Sequence, residues 1–163
     1  MRALLALMAV LTCGDLCAQS AEADFERLKQ FAGEWVKQNG ESPDFVVGWT
    51  PTAGGTVMVE EWRHRGQSHS LTLYHLDGDR LLATHYCPQG NQPRLQLEPS
   101  EERNTLTFNF RDATNLTDPA GDHQHALHYT IVDDATLIRG ETYRHKGIDT
   151  PSSMTLIRRS TSQ

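Results

Sequence analysis

The sequence predicts an all-β fold, an antiparallel up-and-down barrel of eight to ten strands behind one short N-terminal helix. Beyond Gly33, apolar residues recur with a period of two, which is the spacing of β-strands. Glycine-containing dipeptides separate these segments, as in β-hairpins, and no helix-length pattern lies between them. A long meander tends to close, because closure removes its edge strands. A two-sheet sandwich is the alternative, but strand faces that mix polar and apolar residues favour the barrel.

The N-terminal segment, residues 1–18, has the pattern of a secretory signal peptide. A positive charge precedes the apolar run Ala3–Cys13, and small residues follow it. We expect cleavage after Ala18, with Ala23 as the second candidate. The run is too short to cross a bilayer, which takes about 20 residues, and no later run is as long. The sequence therefore predicts one exported domain, residues 19–163, that is periplasmic or secreted and has no integral membrane segment.

One short helix is predicted at the start of this domain. Ser20 or Asp24 can cap its N-terminus, and Gly33 ends it. The apolar residues that share one helical face are Phe25, Leu28, Phe31 and Ala32.

Ten strand-like segments follow the helix. They are Glu34–Lys37, Asp44–Thr50, Thr56–His64, Ser68–Leu76, Arg80–Cys87, Arg94–Glu98, Thr105–Phe110, His123–Val132, Thr136–Arg144 and Ser153–Arg158. The hairpin signals are Asn39-Gly40, Gly54-Gly55, Asp77-Gly78, Gly90-Asn91 and Lys146-Gly147. The longest predicted loop runs from Arg111 to Asp122.

Composition and charge exclude several classes of partner. The net charge is −6 and no basic stripe exists, so neither nucleic acid nor an anionic membrane surface is expected. Hydrophobic residues make up 37% of the chain, and the predicted leader holds many of them. A lean core of this kind fits a barrel whose interior is partly polar or hollow. Outside the leader the only cysteine is Cys87, which precludes a disulfide within the mature chain.

The segment Phe31-Ala32-Gly33-Glu34-Trp35 resembles the start of lipocalins and related calycin barrels. In those folds the glycine turns the chain into the barrel and the tryptophan plugs the closed end. Three further segments, Tyr74–Arg80, Thr84–Cys87 and Gly90–Arg94, resemble a group of uncharacterised secreted bacterial proteins with a lipocalin-like domain. The resemblance implies a fold and an exported location, and it implies no particular activity.

Haem-binding barrels of the nitrobindin type carry a glycine-rich pattern after the corresponding tryptophan. Here Trp35 is followed by Val36-Lys37-Gln38-Asn39-Gly40, so haem is not expected and the cofactor is unknown.

A ligand pocket is predicted from unusual polar residues on a few strands. Its members are Glu60, Trp62, Leu71, Leu73, Tyr86 and Arg94. If the face of Trp62 points inward, Glu60 is a buried carboxylate that must be paired or change its pKa. It would then orient a polar headgroup or act as a general base, and a structural salt bridge to Arg94 or Arg139 explains it equally well. Arg94 is also placed to clamp a carboxylate at a barrel mouth.

A metal site is a further hypothesis, from histidines at i, i+2 spacing. His85 and Cys87 share one strand face, and His123 and His125 share another, so each pair can reach one transition ion. Alternation makes His85 and Tyr86 face opposite ways. We expect Tyr86 to face inward together with Leu71, Leu73 and Leu82, which would turn His85 and Cys87 outward and abolish the metal site.

No phosphate-binding loop, nucleophile elbow or zinc-protease motif is present. The sequence therefore favours a binding protein that holds a small, partly apolar molecule inside the barrel. One alternative is a small calycin-type enzyme that uses Glu60, or His85 with Tyr86, for acid–base chemistry. Another is a metal-binding or structural envelope protein. The identity of the ligand and the oligomeric state are left open by the sequence.

Overall fold

The computed structural model describes residues 20–40 and 44–160, so the predicted signal peptide lies outside the described residues. The elements are helix α1 (Ala21–Lys29) and strands β1 (Gly33–Lys37), β2 (Phe45–Thr52), β3 (Val57–His64), β4 (Gln67–Asp77), β5 (Arg80–Tyr86), β6 (Gln92–Leu97), β7 (Thr105–Thr114), β8 (His123–Asp133), β9 (Thr136–His145) and β10 (Ile148–Arg158). A short 3₁₀ turn, Ala53–Gly55, joins β2 to β3.

The ten strands form one closed antiparallel barrel. Each strand pairs with its neighbours in the sequence, and β10 pairs with β1 to close the ring through Trp35↔Arg158 and Lys37↔Leu156. The predicted fold class, a single up-and-down barrel behind a short helix, is confirmed. Within the described ranges, no helix is long and apolar enough to cross a membrane.

Helix α1 covers one end of the barrel. The Ser20 side chain caps the helix by accepting a hydrogen bond from the Ala23 amide at 3.2 Å. Phe25 and Leu28 are buried, as the predicted apolar face requires. Gly33 then adopts φ +126°, a conformation that side-chain-bearing residues rarely adopt, and this turns the chain into β1.

Trp35 lies in this closed end, as the sequence predicts. Its ring is 1% exposed and its Nε1 donates to the Phe31 carbonyl at 2.7 Å. The Arg158 guanidinium lies 4.3 Å from the ring centre and donates to the Ala32 carbonyl at 2.6 Å. The C-terminal strand therefore locks the helix–strand junction in place.

Strands β7 and β10 exceed their predicted lengths by the most, about four and five residues. β7 continues to Thr114, because Arg94↔Asp112 and Gln92↔Thr114 pair it with β6, and the predicted Arg111–Asp122 loop is correspondingly shorter. β10 begins at Ile148, where it pairs with His145. Its first six residues are all exposed, so they show no apolar alternation that could have marked them as strand.

The strand ends opposite α1 define the mouth of the barrel. Here β1, β3, β5, β7 and β9 end, while β2, β4, β6, β8 and β10 begin. Aromatic rings fill the middle of the barrel below it: Trp49 stacks on Tyr74 at 5.4 Å, and Tyr129 packs edge-on against both rings. The mouth and the polar layer beneath it hold the residues described next.

Candidate functional site

A buried ion pair spans the middle of the barrel. Glu60 on β3 and Arg139 on β9 are 0% and 1% exposed, and Arg139 Nε lies 2.7 Å from Glu60 Oε1. Trp62 Nε1 donates to the same oxygen at 2.9 Å. The other oxygen, Oε2, accepts from the hydroxyls of Tyr74 at 2.7 Å and Tyr129 at 3.0 Å. The two hydroxyls also lie 2.6 Å from each other, so their two protons are shared among three contacts around Oε2.

These contacts keep Glu60 ionised. Burial by itself raises the pKa of a carboxyl group, but the charge of Arg139 and the donated hydrogen bonds outweigh it, so the pKa of Glu60 lies below its ordinary value. Burial and the nearby Glu60 charge raise the pKa of Tyr74 and Tyr129, which therefore stay protonated as donors. Because it is fully buried and paired with Arg139, Glu60 is a structural anchor and not a free general base.

The alternative of a salt bridge from Glu60 to Arg139 is therefore confirmed, and Arg94 has a different role. Arg94 is exposed on the outer wall, where it pairs with Asp112 across the β6–β7 ladder. Its side chain points away from the barrel interior, because Pro93 and Leu95 on either side of it are buried. Arg94 is therefore not part of the interior site, and its role as a carboxylate clamp stays a prediction.

A second carboxylate shares the guanidinium. Arg139 Nη1 lies 2.7 Å from Glu141 Oε2, and the Glu141 side chain is 22% exposed toward the mouth. The Arg139 guanidinium also lies 4.8 Å from the centre of the half-buried Trp62 ring. Gln124 on β8 is fully buried, and its Nε2 donates to Glu141 Oε2 at 3.3 Å. We call Glu60, Arg139, Glu141 and Gln124 the polar layer. It extends from the middle of the barrel, at Glu60, toward the mouth, at Glu141 and Gln124.

His85 faces the interior, which reverses the predicted facing of β5. The register pairs Thr72 with His85 and Leu71 with Tyr86. His85 is 3% exposed, whereas Tyr86 is 44% exposed. Leu71 and Leu73 share the outer face with Tyr86 and are half-buried. None of these three lines the barrel interior, so the apolar half of the predicted ligand site is wrong.

The physical reason is the buried ion pair. The prediction placed the more apolar face inward, but the Glu60 carboxylate needs hydroxyl donors inside the barrel, and Tyr74 supplies one. Alternation then brings Thr72 inward along with Tyr74. The polar face of β4, which carries Thr72 and Tyr74, therefore points inward because Tyr74 donates a hydrogen bond to Glu60.

His85 is held between two hydroxyl groups. Its Nδ1 lies 2.9 Å from Thr72 Oγ1, and its Nε2 lies 3.2 Å from the Tyr143 hydroxyl. Burial lowers the pKa of His85 to about 4, against the opposing effect of Glu60. Burial also raises the pKa of Tyr143. Both groups are therefore neutral near pH 7, and they form an uncharged wall beside Glu141.

His123 and His125 lie together at the mouth. His123 Nδ1 is 2.8 Å from the Gly121 carbonyl, which can only accept, so this nitrogen carries the proton. His123 Nε2 then accepts from His125 Nδ1 at 3.1 Å. The Phe110 ring stacks on His125 at 5.3 Å. Burial lowers the pKa of His125, which favours the neutral form of that ring.

The predicted metal set does not form a metal centre. In the part of the chain that the structure describes, no three His, Cys, Asp or Glu side chains are grouped to hold an ion. Both ring nitrogens of His85 and of His123 are already hydrogen-bonded, and the half-buried Cys87 thiol donates to Gln89 Oε1 at 3.3 Å. The two predicted pairs occupy separate hydrogen-bond networks.

Sequence reasoning missed Gln124, Glu141 and Tyr143. Glu141 and Tyr143 lie at i+2 and i+4 from Arg139 on β9, so alternation places them on its face. An inward-facing Arg139 therefore implies that Glu141 and Tyr143 face inward too. Gln124 gave no such signal, since β8 has a register shift between Gln124 and Ala126.

Comparison of the chain with protein-family models and with curated proteins gives no match.

Proposed function

We propose that this chain is an exported, lipocalin-like binding protein that takes a small, partly apolar molecule into the mouth of its barrel. The observation that carries the proposal is the asymmetry of the two ends. One end is sealed by α1, Trp35 and Arg158. The other end presents half-buried aromatic and polar side chains above a floor formed by the buried Glu60–Arg139 ion pair.

The composition of the mouth supports small-molecule recognition. Binding sites combine apolar and aromatic surface with a few fixed polar groups. Here Trp62 and Phe110 supply ring surface, and Glu141, His85 and Tyr143 supply polar groups held by neighbours. The floor needs no rearrangement to receive a ligand, because Glu60 and Arg139 already satisfy each other.

The fold supports the lipocalin-like assignment in its helix-to-barrel junction. The Gly33 turn and the buried Trp35 have the arrangement that the resemblance implies. The barrel has ten strands, two more than the eight of lipocalins, and is therefore wider. Large side chains occupy that extra width, among them Trp49, Tyr74, Tyr129 and Arg139.

Binding is favoured over catalysis by the state of the candidate acid–base groups. Glu60 is saturated with donors. His85 has a pKa of about 4 and both of its ring nitrogens are engaged. Tyr86, the suggested partner of His85, lies on the outer wall. Neither Glu60 nor His85 is therefore free to deprotonate a substrate.

Native mass spectrometry of the protein purified from its own exported fraction tests the proposal. We expect a non-covalent adduct of small-molecule mass that is lost when Trp62 is replaced by Ala. The matched control is Tyr86→Ala, which removes an aromatic ring from the outer wall and leaves the mouth unchanged. An adduct that persists in Trp62→Ala but disappears in Tyr86→Ala would contradict the proposal.

A further inference from the structure

Gln124 has a buried acceptor without a partner. Its Nε2 donates to the Glu141 carboxylate, and this contact fixes the orientation of the amide, because the reverse orientation would place oxygen against oxygen. Its Oε1 is then buried and accepts no hydrogen bond from the described residues. Leaving such an acceptor unsatisfied costs about 1–3 kcal/mol. A donor from outside the protein is therefore expected at this position.

A second unpartnered acceptor lies at the same end of the barrel. Asn91 is 5% exposed, and its Nδ2 donates to the Asp122 carbonyl at 2.6 Å, two residues before Gln124. Its Oδ1 is buried and has no partner among the described residues. The unpartnered donors lie elsewhere: Trp49 Nε1 is in the core, and Arg63 Nε is 3.8 Å from Glu61 on the outer wall.

The charges of the polar layer also do not balance. Glu60 and Glu141 share the single guanidinium of Arg139, at 2.7 Å from each carboxylate. His85 adds no positive charge, because burial holds its pKa near 4. The sum of the three formal charges is one negative charge, and the exposed fraction of Glu141 places it on the mouth side of the layer.

Aromatic surface stands beside this negative charge. The half-buried Trp62 ring packs over Arg139, and Phe110 stacks on His125 at the mouth. An apolar or aromatic body can rest on these rings while its polar end reaches Glu141.

We propose that the mouth binds a primary amine in its ammonium form, carried on a small aromatic or apolar body, with the Glu141 carboxylate and Gln124 Oε1 as its acceptors. The three N–H groups of an ammonium satisfy the unpartnered acceptor, and its charge neutralises the layer. A carboxylate ligand is disfavoured, since the only guanidinium of the layer is already shared by two carboxylates. This inference rests on the proposed function and specifies the chemistry of its ligand.

Isothermal titration calorimetry at pH 7.5 tests the inference with three probes of matched shape. They are 2-phenylethylamine, 2-phenylethanol and 3-phenylpropionate, which present a cation, a neutral hydroxyl and an anion on one phenyl body. We expect the amine to bind about tenfold or more tightly than the alcohol, with the acid weakest. We expect Glu141→Gln and Gln124→Met each to weaken amine binding about tenfold while changing alcohol binding less than about twofold. Glu61→Gln, which removes a carboxylate from the outer wall, is the control and should change neither.

Equal affinity for the amine and the alcohol, or unchanged amine affinity in Glu141→Gln, would overturn the ammonium inference while leaving a ligand site at the mouth in place. Absence of binding by all three probes would also overturn the ammonium inference. The proposed function is then tested separately by the native mass spectrum. Near-UV circular dichroism verifies the fold of each variant. If Gln124→Met is destabilised, Glu141→Gln carries the test, because it keeps the shape of a partly exposed side chain.

Discussion

Glu60 and Arg139 lie four strands apart around the barrel, counted from β3 through β2, β1 and β10 to β9, and their side chains meet across the interior at 2.7 Å. An ion pair of this kind links two strands, β3 and β9, that are not hydrogen-bonded to each other through their backbones. This one also fixes the facing of β4, because Tyr74 must point inward to donate to Glu60. The pair therefore sets both the shape of the floor and the chemistry available above it.

Glu60→Gln should destabilise the fold strongly. The variant leaves Arg139 buried without its central counter-charge, and breaking a buried pair from one side costs roughly 3–5 kcal/mol. Urea unfolding measures the free energy. The outer-wall control, Glu61→Gln, should lose less than about 0.5 kcal/mol. The double variant Glu60→Gln/Arg139→Met tests whether the two residues are coupled. Its loss of unfolding free energy should be smaller than the sum of the losses in the two single variants. Additive losses would show that the pair does not act as a unit.

Stability should fall as the pH is lowered from about 6.5 to 4. His85 is protonated in the unfolded chain below its ordinary pKa of 6.5, whereas in the folded chain burial delays this to about pH 4. The unfolded state therefore binds more protons in this window, and the loss reaches about 3 kcal/mol at its lower end. Above pH 6.5 His85 is neutral in both states, so it makes no contribution to the pH dependence of stability.

Urea titrations at several pH values measure this slope. In His85→Gln the slope between pH 4.5 and 6.5 should shrink, leaving the contribution of other groups such as His125, whose pKa is also lowered. His75→Gln, on a strand face that alternates away from Tyr74, is the control. An identical slope in the wild type and His85→Gln would show that His85 titrates normally.

The three tryptophans should respond differently to a soluble quencher. Trp35 and Trp49 are 1% and 2% exposed, whereas Trp62 is half-buried at the mouth. We expect Trp62→Phe to remove most of the acrylamide-quenchable fluorescence, and Trp35→Phe to leave it nearly intact. A ligand that occupies the mouth should protect the same fraction. Quenching that survives in Trp62→Phe would place a different tryptophan at the surface.

The exported protein should begin at Gln19. Cleavage after Ala18 keeps Ser20, whose side chain caps α1. Cleavage after Ala23 would remove that cap and the first turn of the helix. Mass spectrometry of the exported chain distinguishes the two starting points. A chain that keeps residues 1–18 in the exported fraction would contradict the predicted signal peptide.

Alternation and turn chemistry were sufficient to predict the ten strands and their antiparallel order, because hairpins make each strand pair with the next. The facing of β4 and β5 was not predictable in the same way. The sequence correctly places Tyr86 on the same strand face as Leu71 and Leu73. Which of the two faces points into the barrel depends on the ion pair between Glu60 on β3 and Arg139 on β9. Such a contact joins residues 79 positions apart, and no local pattern records it. The sequence offers both Arg94 and Arg139 as partners of Glu60, and nothing local ranks one above the other.

The most direct test of the mouth as a ligand site is a ¹H–¹⁵N NMR titration of the protein with 2-phenylethylamine. The indole N–H of Trp62 and the side-chain NH₂ of Gln124 should shift together, because both lie at the mouth side of the Arg139 layer. The indole N–H of Trp35, bonded to Phe31 at the closed end, should stay in place. Shifts confined to Trp35 and its neighbours would put the site at the wrong end of the barrel and contradict the account.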